Sequence, residues 1–147
     1  MDKTEALAKA HEAIEQAPIS ILMTHGLDGF PTARPMGTLC VEEDFTVYYA
    51  TAAQLAKCAQ IEANPKAAVY WPNLGEDGYG WAMAKGEAEL TADPAVLDRF
   101  WKDEYVRYFP EGRNDPTYII IRVRPRSLTV LAGGVDDAPV TVDLGPV

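Results

Sequence analysis

Three side chains in the first half of the chain have the types and spacing to hold an anion. In "YYATAAQLAKCAQI", residues 48–61, Thr51 follows a strand-like aromatic run and stands as N-cap of a helix over 52–63. Lys57 falls in the second turn of that helix, and helical side chains lean toward the N-terminus. Unpaired N–H groups, a helix dipole, a hydroxyl and an ammonium together suit a phosphate group. The same residues fit a capped surface helix carrying one solvated lysine. Upstream, "TARPMGTLCV", residues 32–41, alternates like a strand, with Thr32, Arg34, Met36, Thr38 and Cys40 on one face. Pro35 brings no N–H to a ladder and Gly37 no side chain, which marks an edge, a bulge or a close backbone approach. Arg34 adds a planar fork of donors beside that defect. If the two stretches are neighbouring strands, Arg34–Thr38 lies beside Tyr48–Thr51. A flat heteroaromatic ligand would then lie along the interrupted strand, with its phosphate at Thr51 and Lys57.

The elements that must position these residues are short. A helix is predicted over 2–16, with Leu7, Ala10 and Ile14 on one face and Pro18 as its stop. "ISILMTH" reads as a strand, and the Asp-Gly pair in "GLDGF" as a tight hairpin into the interrupted strand. "FTVYYA", "KAAVYWP" and "WAMAKGEAELTA" read as further strands, the last with a bend at Gly86. A third helix is predicted from Pro94 to Tyr108, followed by a rigid loop and the strands "TYIIIRVR" and "SLTVLAG". Residues 133–147 form an acidic, Pro- and Gly-containing tail with little to hold it. Six or seven strands on tight turns, without a βαβ rhythm, predict one mostly β (α+β) domain over 1–147. Its sheet is antiparallel and closes into a small barrel with three peripheral helices.

The chain's 147 residues suffice for one domain with a hydrophobic core. A formal charge of −9 disfavours nucleic acid and anionic membranes as partners. No stretch approaches the ~20 apolar residues of a membrane span. The N-terminus has no apolar run typical of a secretory signal, so the cytoplasm is the expected compartment. Cys40 and Cys58 show no CxxC spacing, and with His11 and His25 they make no metal-ligand cluster, so no metal is expected. No Ser/His/Asp or Cys/His arrangement for nucleophilic catalysis is apparent, and catalytic residues stay unassigned.

"ARPMGTL", the aromatic strand, the Thr-led helix with "KCAQI" and then "NP", and the loop "YFPEGRNDP" together resemble the pyridoxamine 5′-phosphate oxidase-like flavoproteins, in particular their general stress protein branch. The resemblance runs from about Ile19 to Leu131. It implies a Greek-key split β-barrel and a homodimer with FMN in clefts at the interface. It also implies ring contacts from Arg34, Pro35 and Met36, phosphate contacts from Thr51 and Lys57, and a cofactor lying along Tyr49 and Ala50. Trp101 and Phe109 would reach it from the partner subunit. Three positions depart from that pattern: Leu55 and Ala56 stand where a Ser-Arg pair usually precedes the helix lysine, and Ala52 replaces a small polar residue. Charge-assisted bonds of that kind are worth ~1.5–3 kcal/mol each. One of Arg122, Arg124 and Arg126 could substitute, or all three could form a solvated strand face. The tail after Arg126 has no Lys or Arg, which disfavours oxidation of a vitamin B6 phosphate. The implied function is an FMN-dependent oxidoreductase acting on a small-molecule redox partner. Alternatives are a flavin binder without turnover, or a split barrel that has lost FMN.

Overall fold

A computed structural model describes residues 2–132 and 138–146. The N-terminal helix α1 spans Lys3–Glu15, capped by the Asp2 carboxylate, which accepts from the Glu5 amide at 2.8 Å. Its buried stripe is Ala6, Ala10 and Ile14, spaced four apart, so Leu7 sits at the margin rather than the centre. The strands are β1 (Ile19–His25), β2 (Pro31–Gly37), β3 (Cys40–Val41), β4 (Val47–Ala52), β5 (Lys66–Leu74), β6 (Gly80–Thr91), β7 (Tyr118–Leu131) and β8 (Val140–Asp143). Helix α2 covers Ala56–Ala63 and α3 Pro94–Phe100, with 3-10 segments at Asp103–Arg107 and Gly112–Asn114.

Every ladder is antiparallel, in the order β2-β1-β5-β6-β7-β4-β3, with β8 also on β7. The sheet curls into the expected split barrel. Leu22, Val69, Trp71, Tyr49, Val123 and Leu128 fill its interior, together with Ile14 of α1 and Ile61 of α2. A second cluster lies on the outside of β4 and β7 around Tyr118.

Several elements differ from expectation, among them the strand expected over 32–41, which ends at Gly37 with Cys40–Val41 a separate strand. The predicted third helix stops at Phe100, because Trp101 turns extended (ψ 134°) and lays its ring on Tyr118 at 5.2 Å. Tyr105 and Phe109 then approach the same ring from other sides, at 6.4 and 5.1 Å. A continuous helix would place these residues along its own axis; packing around one tyrosine wins over propensity. The two predicted C-terminal strands are one strand, β7, with a register shift where Gly86 faces Pro125 and Lys85 faces Ser127. Of the acidic tail, residues 133–137 and 147 lie outside the described residues. Val140–Asp143 instead pairs in register with β7, and the Lys3 ammonium donates to the Asp143 carbonyl at 3.2 Å.

Curling brings the two ends of the strand order together. The Leu39 amide donates to the Tyr48 carbonyl at 3.0 Å. Ser20 joins its hydroxyl to those of Thr38 and Tyr49 at 2.7 and 2.6 Å. Burial pushes the Tyr49 phenol far up, the Ser20 and Thr38 bonds opposing. Burial, with Tyr105 and Asp98 nearby, pushes Tyr118 up to about 12. Raised phenol pKa values contribute stability that is complete below about 10 and lost as pH climbs toward the folded value, because the unfolded chain releases these protons first. Urea unfolding is expected to show stability falling above about pH 10 as these phenols ionise in the unfolded chain first. Tyr49→Phe should make that fall shallower; an unchanged slope would exclude Tyr49 as its source.

Candidate functional site

Beyond the Ser20–Thr38–Tyr49 latch, β2 and the C-terminal half of β4 each keep one edge that no strand among the described residues pairs, and these two edges bound the candidate groove. The two strands are not the adjacent ladder partners expected from sequence: β2 pairs with β1, and β4 pairs with β7 and, through Val47 and Tyr48 alone, with β3. The crossing at Thr38–Leu39 separates them. The Thr38 amide donates to Pro18 at 3.1 Å, so alternate residues Met36 and Arg34 also turn their amides toward β1. The Pro35 nitrogen therefore faces the open edge, and no carbonyl of β1 loses a bond to it. On the opposite wall, Tyr48 is bonded toward Leu39. Two residues on, Ala50 turns its amide and carbonyl the same way, where no strand among the described residues meets it.

Thr51 is not a helix cap. It is the penultimate residue of β4, and α2 begins five residues later at Ala56, after Leu55, which makes no side-chain cap bond. A turn intervenes, closed by Leu55 N–H to the Ala52 carbonyl at 3.1 Å, while Ala53 still bonds Thr117 at 2.8 Å. The amides of Ala56 and Lys57 find no backbone partner among the described residues. Lys57 is thus in the first turn, nearer the dipole end than predicted. Thr51 is 6% exposed, and its Oγ1 has no hydrogen-bond partner. A buried hydroxyl without a partner costs free energy and calls for an occupant.

Arg34 and Lys57 meet at this groove without a carboxylate. Arg34 donates from Nη1 to the Leu22 carbonyl (3.1 Å) and Thr24 Oγ1 (2.9 Å), and from Nη2 to Gln60 Oε1 (3.0 Å). The Lys57 ammonium approaches Met36 Sδ at 3.9 Å. Neither cation forms an ion pair among the described residues. Burial lowers the pKa of both, and the Arg34 charge lowers Lys57 further. Two like charges held together and, at the start of α2, two amides without a backbone partner among the described residues are groups suited to a phosphate dianion.

Tyr49 does not open onto the groove: its side chain is in the barrel, so only its main chain could border a ligand. Trp101 and Phe109 pack outside β4 and β7 against Tyr118, away from Arg34 and Lys57 of the same chain. Leu55 and Ala56 are exposed and bring no donor side chain. The β7 arginines do not make up the loss. Arg122 and Arg124 bond Glu89 at 2.6 and 3.2 Å, and Arg126 bonds Glu87 at 2.6 Å. Sequence reading missed Thr24 and Gln60. Gln60 lies one turn after Lys57, a spacing that puts both on one helix face. The Thr24 contact depends on strand register, which no local pattern reveals.

Residues 5–132 match the family described as pyridoxamine 5′-phosphate oxidase like. No curated protein matches the chain. Among solved structures, a protein related to general stress protein 26, from Clostridium acetobutylicum, superposes with a TM-score of 0.80 at 20% identity, covering 97% of this chain and 96% of that one. General stress protein 26 from Bacillus anthracis superposes with a TM-score of 0.71 at 25% identity, covering 92% and 98%. A heme binding protein from Mycobacterium smegmatis has the same fold, with a TM-score of 0.71 at 12% identity over 96% of this chain and 60% of that one.

Proposed function

The chain belongs to the pyridoxamine 5′-phosphate oxidase-like family, and on that footing we propose that it holds FMN in the groove between β2 and β4 as an oxidoreductase for a small molecule. The observation that carries the reading is two cations held together, Arg34 and Lys57, with neither ion-paired to a carboxylate among the described residues. Lys57, Thr51 Oγ1 and the Ala56 and Lys57 amides hold the phosphate. Arg34 turns its fork toward the ring, and Arg34–Met36 and the Ala50 main chain border it. The bound flavin supplies the electron chemistry. The chain orients it, and the positive Arg34 favours added negative charge on the ring. No helix among the described residues is long and apolar enough to cross a membrane. We place the protein in the cytoplasm as a homodimer in which Trp101 and Phe109 of each copy close the other's groove. The exposed Tyr108 and Val106 beside them support that contact surface.

Leu55 and Ala56 favour a weaker site than one with a serine and an arginine there, by about one to several decades. The groove's named residues include no carboxylate or histidine to serve a substrate proton, which favours a second reading, a flavin binder without turnover. Fluorescence titration with FMN and riboflavin tests the site itself. FMN is expected to bind at least about tenfold more tightly, since only it has the phosphate. Equal affinities would sink the phosphate site, and NAD(P)H turnover no faster than with free FMN would select the second reading.

A further inference from the structure

Arg34 is anchored at three points, and every acceptor is neutral: a backbone carbonyl, a hydroxyl and an amide oxygen. This is unlike Arg99, Arg113, Arg122, Arg124 and Arg126, each of which bonds a carboxylate. In a chain with 22 Asp and Glu against 13 Lys and Arg, a fixed arginine without an acid partner calls for an explanation. Gln60 supplies it. Its Oε1 accepts both from Arg34 Nη2 at 3.0 Å and from Thr24 Oγ1 at 2.7 Å, tying α2, β1 and β2 into one clamp. A glutamate would fit the same space, make a stronger bond, and cancel the charge the groove needs.

We propose that Gln60 is the positioning residue of the groove: a neutral acceptor that fixes the Arg34 guanidinium while leaving its charge whole for an anionic guest. The guest's identity rests on the flavin reading above; the fixing of Arg34 does not. Free guanidinium groups rotate and average their Nη environments, whereas one bonded from both nitrogens to three fixed acceptors does not. The lowered pKa of Lys57, to which Arg34 contributes, agrees with a charge left uncompensated.

Three variants of the full chain test this. NMR of ¹⁵N-labelled protein should resolve the Arg34 Nη resonances, assigned by their loss in Arg34→Met. In Gln60→Met they should collapse to an average, and FMN affinity should fall about tenfold or more. Gln60→Glu should keep them resolved and yet bind FMN about tenfold more weakly. In an Arg34→Met background, Gln60→Met should cost less than about twofold, because Gln60 acts through Arg34. Resolved Nη resonances in Gln60→Met would overturn the proposal, as would the same loss of affinity with Arg34 absent. If the unmodified chain takes up neither FMN nor inorganic phosphate, the flavin reading fails, and the Arg34 resonances alone decide for or against Gln60.

Discussion

Lys57→Glu is expected to lower FMN affinity about a hundredfold or more, with no loss of melting temperature. Among the described residues the Lys57 ammonium has one polar contact, to Met36 Sδ at 3.9 Å, so the fold gives up little when it goes. Its charge is already disfavoured by burial and by Arg34, and reversing it turns repulsion into attraction within the apo groove. The guest suffers the opposite change. A unit pair about 4 Å apart near a protein surface interacts by roughly 4 kcal/mol at an effective dielectric of 20, before discount for partial exposure. Losing part of that attraction and adding repulsion exceeds the ~2.7 kcal/mol that a hundredfold change requires. Isothermal titration with FMN and differential scanning of the apo form give the two numbers. An affinity within about threefold of the unmodified chain would remove Lys57, and with it the phosphate end of the site.

Gly86→Ala is expected to be the most damaging single-methyl change in the sheet. Gly86 faces Pro125 where β6 and β7 shift register, and a Cβ there would drive into the Arg124 carbonyl and the Pro125 Cα. Both obstacles are backbone, so no rotamer change relieves them. β7 must shift, and it bears β6 on one edge and β4 with β8 on the other. Overpacking costs ~1–3 kcal/mol and each strained ladder bond ~0.5–1.5 kcal/mol more. For a chain of this size, about 3 kcal/mol corresponds to a drop of roughly 6–12 °C in melting temperature. Gly37→Ala is the control: nothing stands within 4 Å of the added carbon. Equal melting temperatures for the two variants would mean that the β6–β7 register is softer than its geometry implies.

What the sequence conveyed depended on whether the signal was local. The Asp28–Gly29 turn, helix α1 and the strand Ile19–His25 are local signals, and each element stands where expected, although Ala6 takes the place of Leu7 in the buried stripe of α1. The number of strands on tight turns conveyed the closed antiparallel sheet, and the family resemblance its split-barrel form. Thr51 misled because a threonine before an alanine-rich run has the signature of an N-cap. The ladder between Thr51 and Ile119, on a strand far along the chain, keeps it extended. The break at Trp101 was hidden for the same reason, since nothing near it announces that Tyr118 will gather the aromatics. The cations of the groove were legible as residues. Their neutral supports were not, because Thr24 and Gln60 meet Arg34 only through the register of β1 on β2 and the docking of α2.

An exposed edge such as that of β2 invites another polypeptide to zip onto it, the first step toward aggregation. Pro35 removes one donor from the middle of that row without costing the molecule an internal bond. A foreign β-segment would find a gap in its hydrogen-bond pattern there, whereas a small ring rimmed with nitrogens and oxygens needs only a few of the remaining groups. The imino acid would thus act as a filter, deterring strand-to-strand zipping at the margin proposed for the flavin.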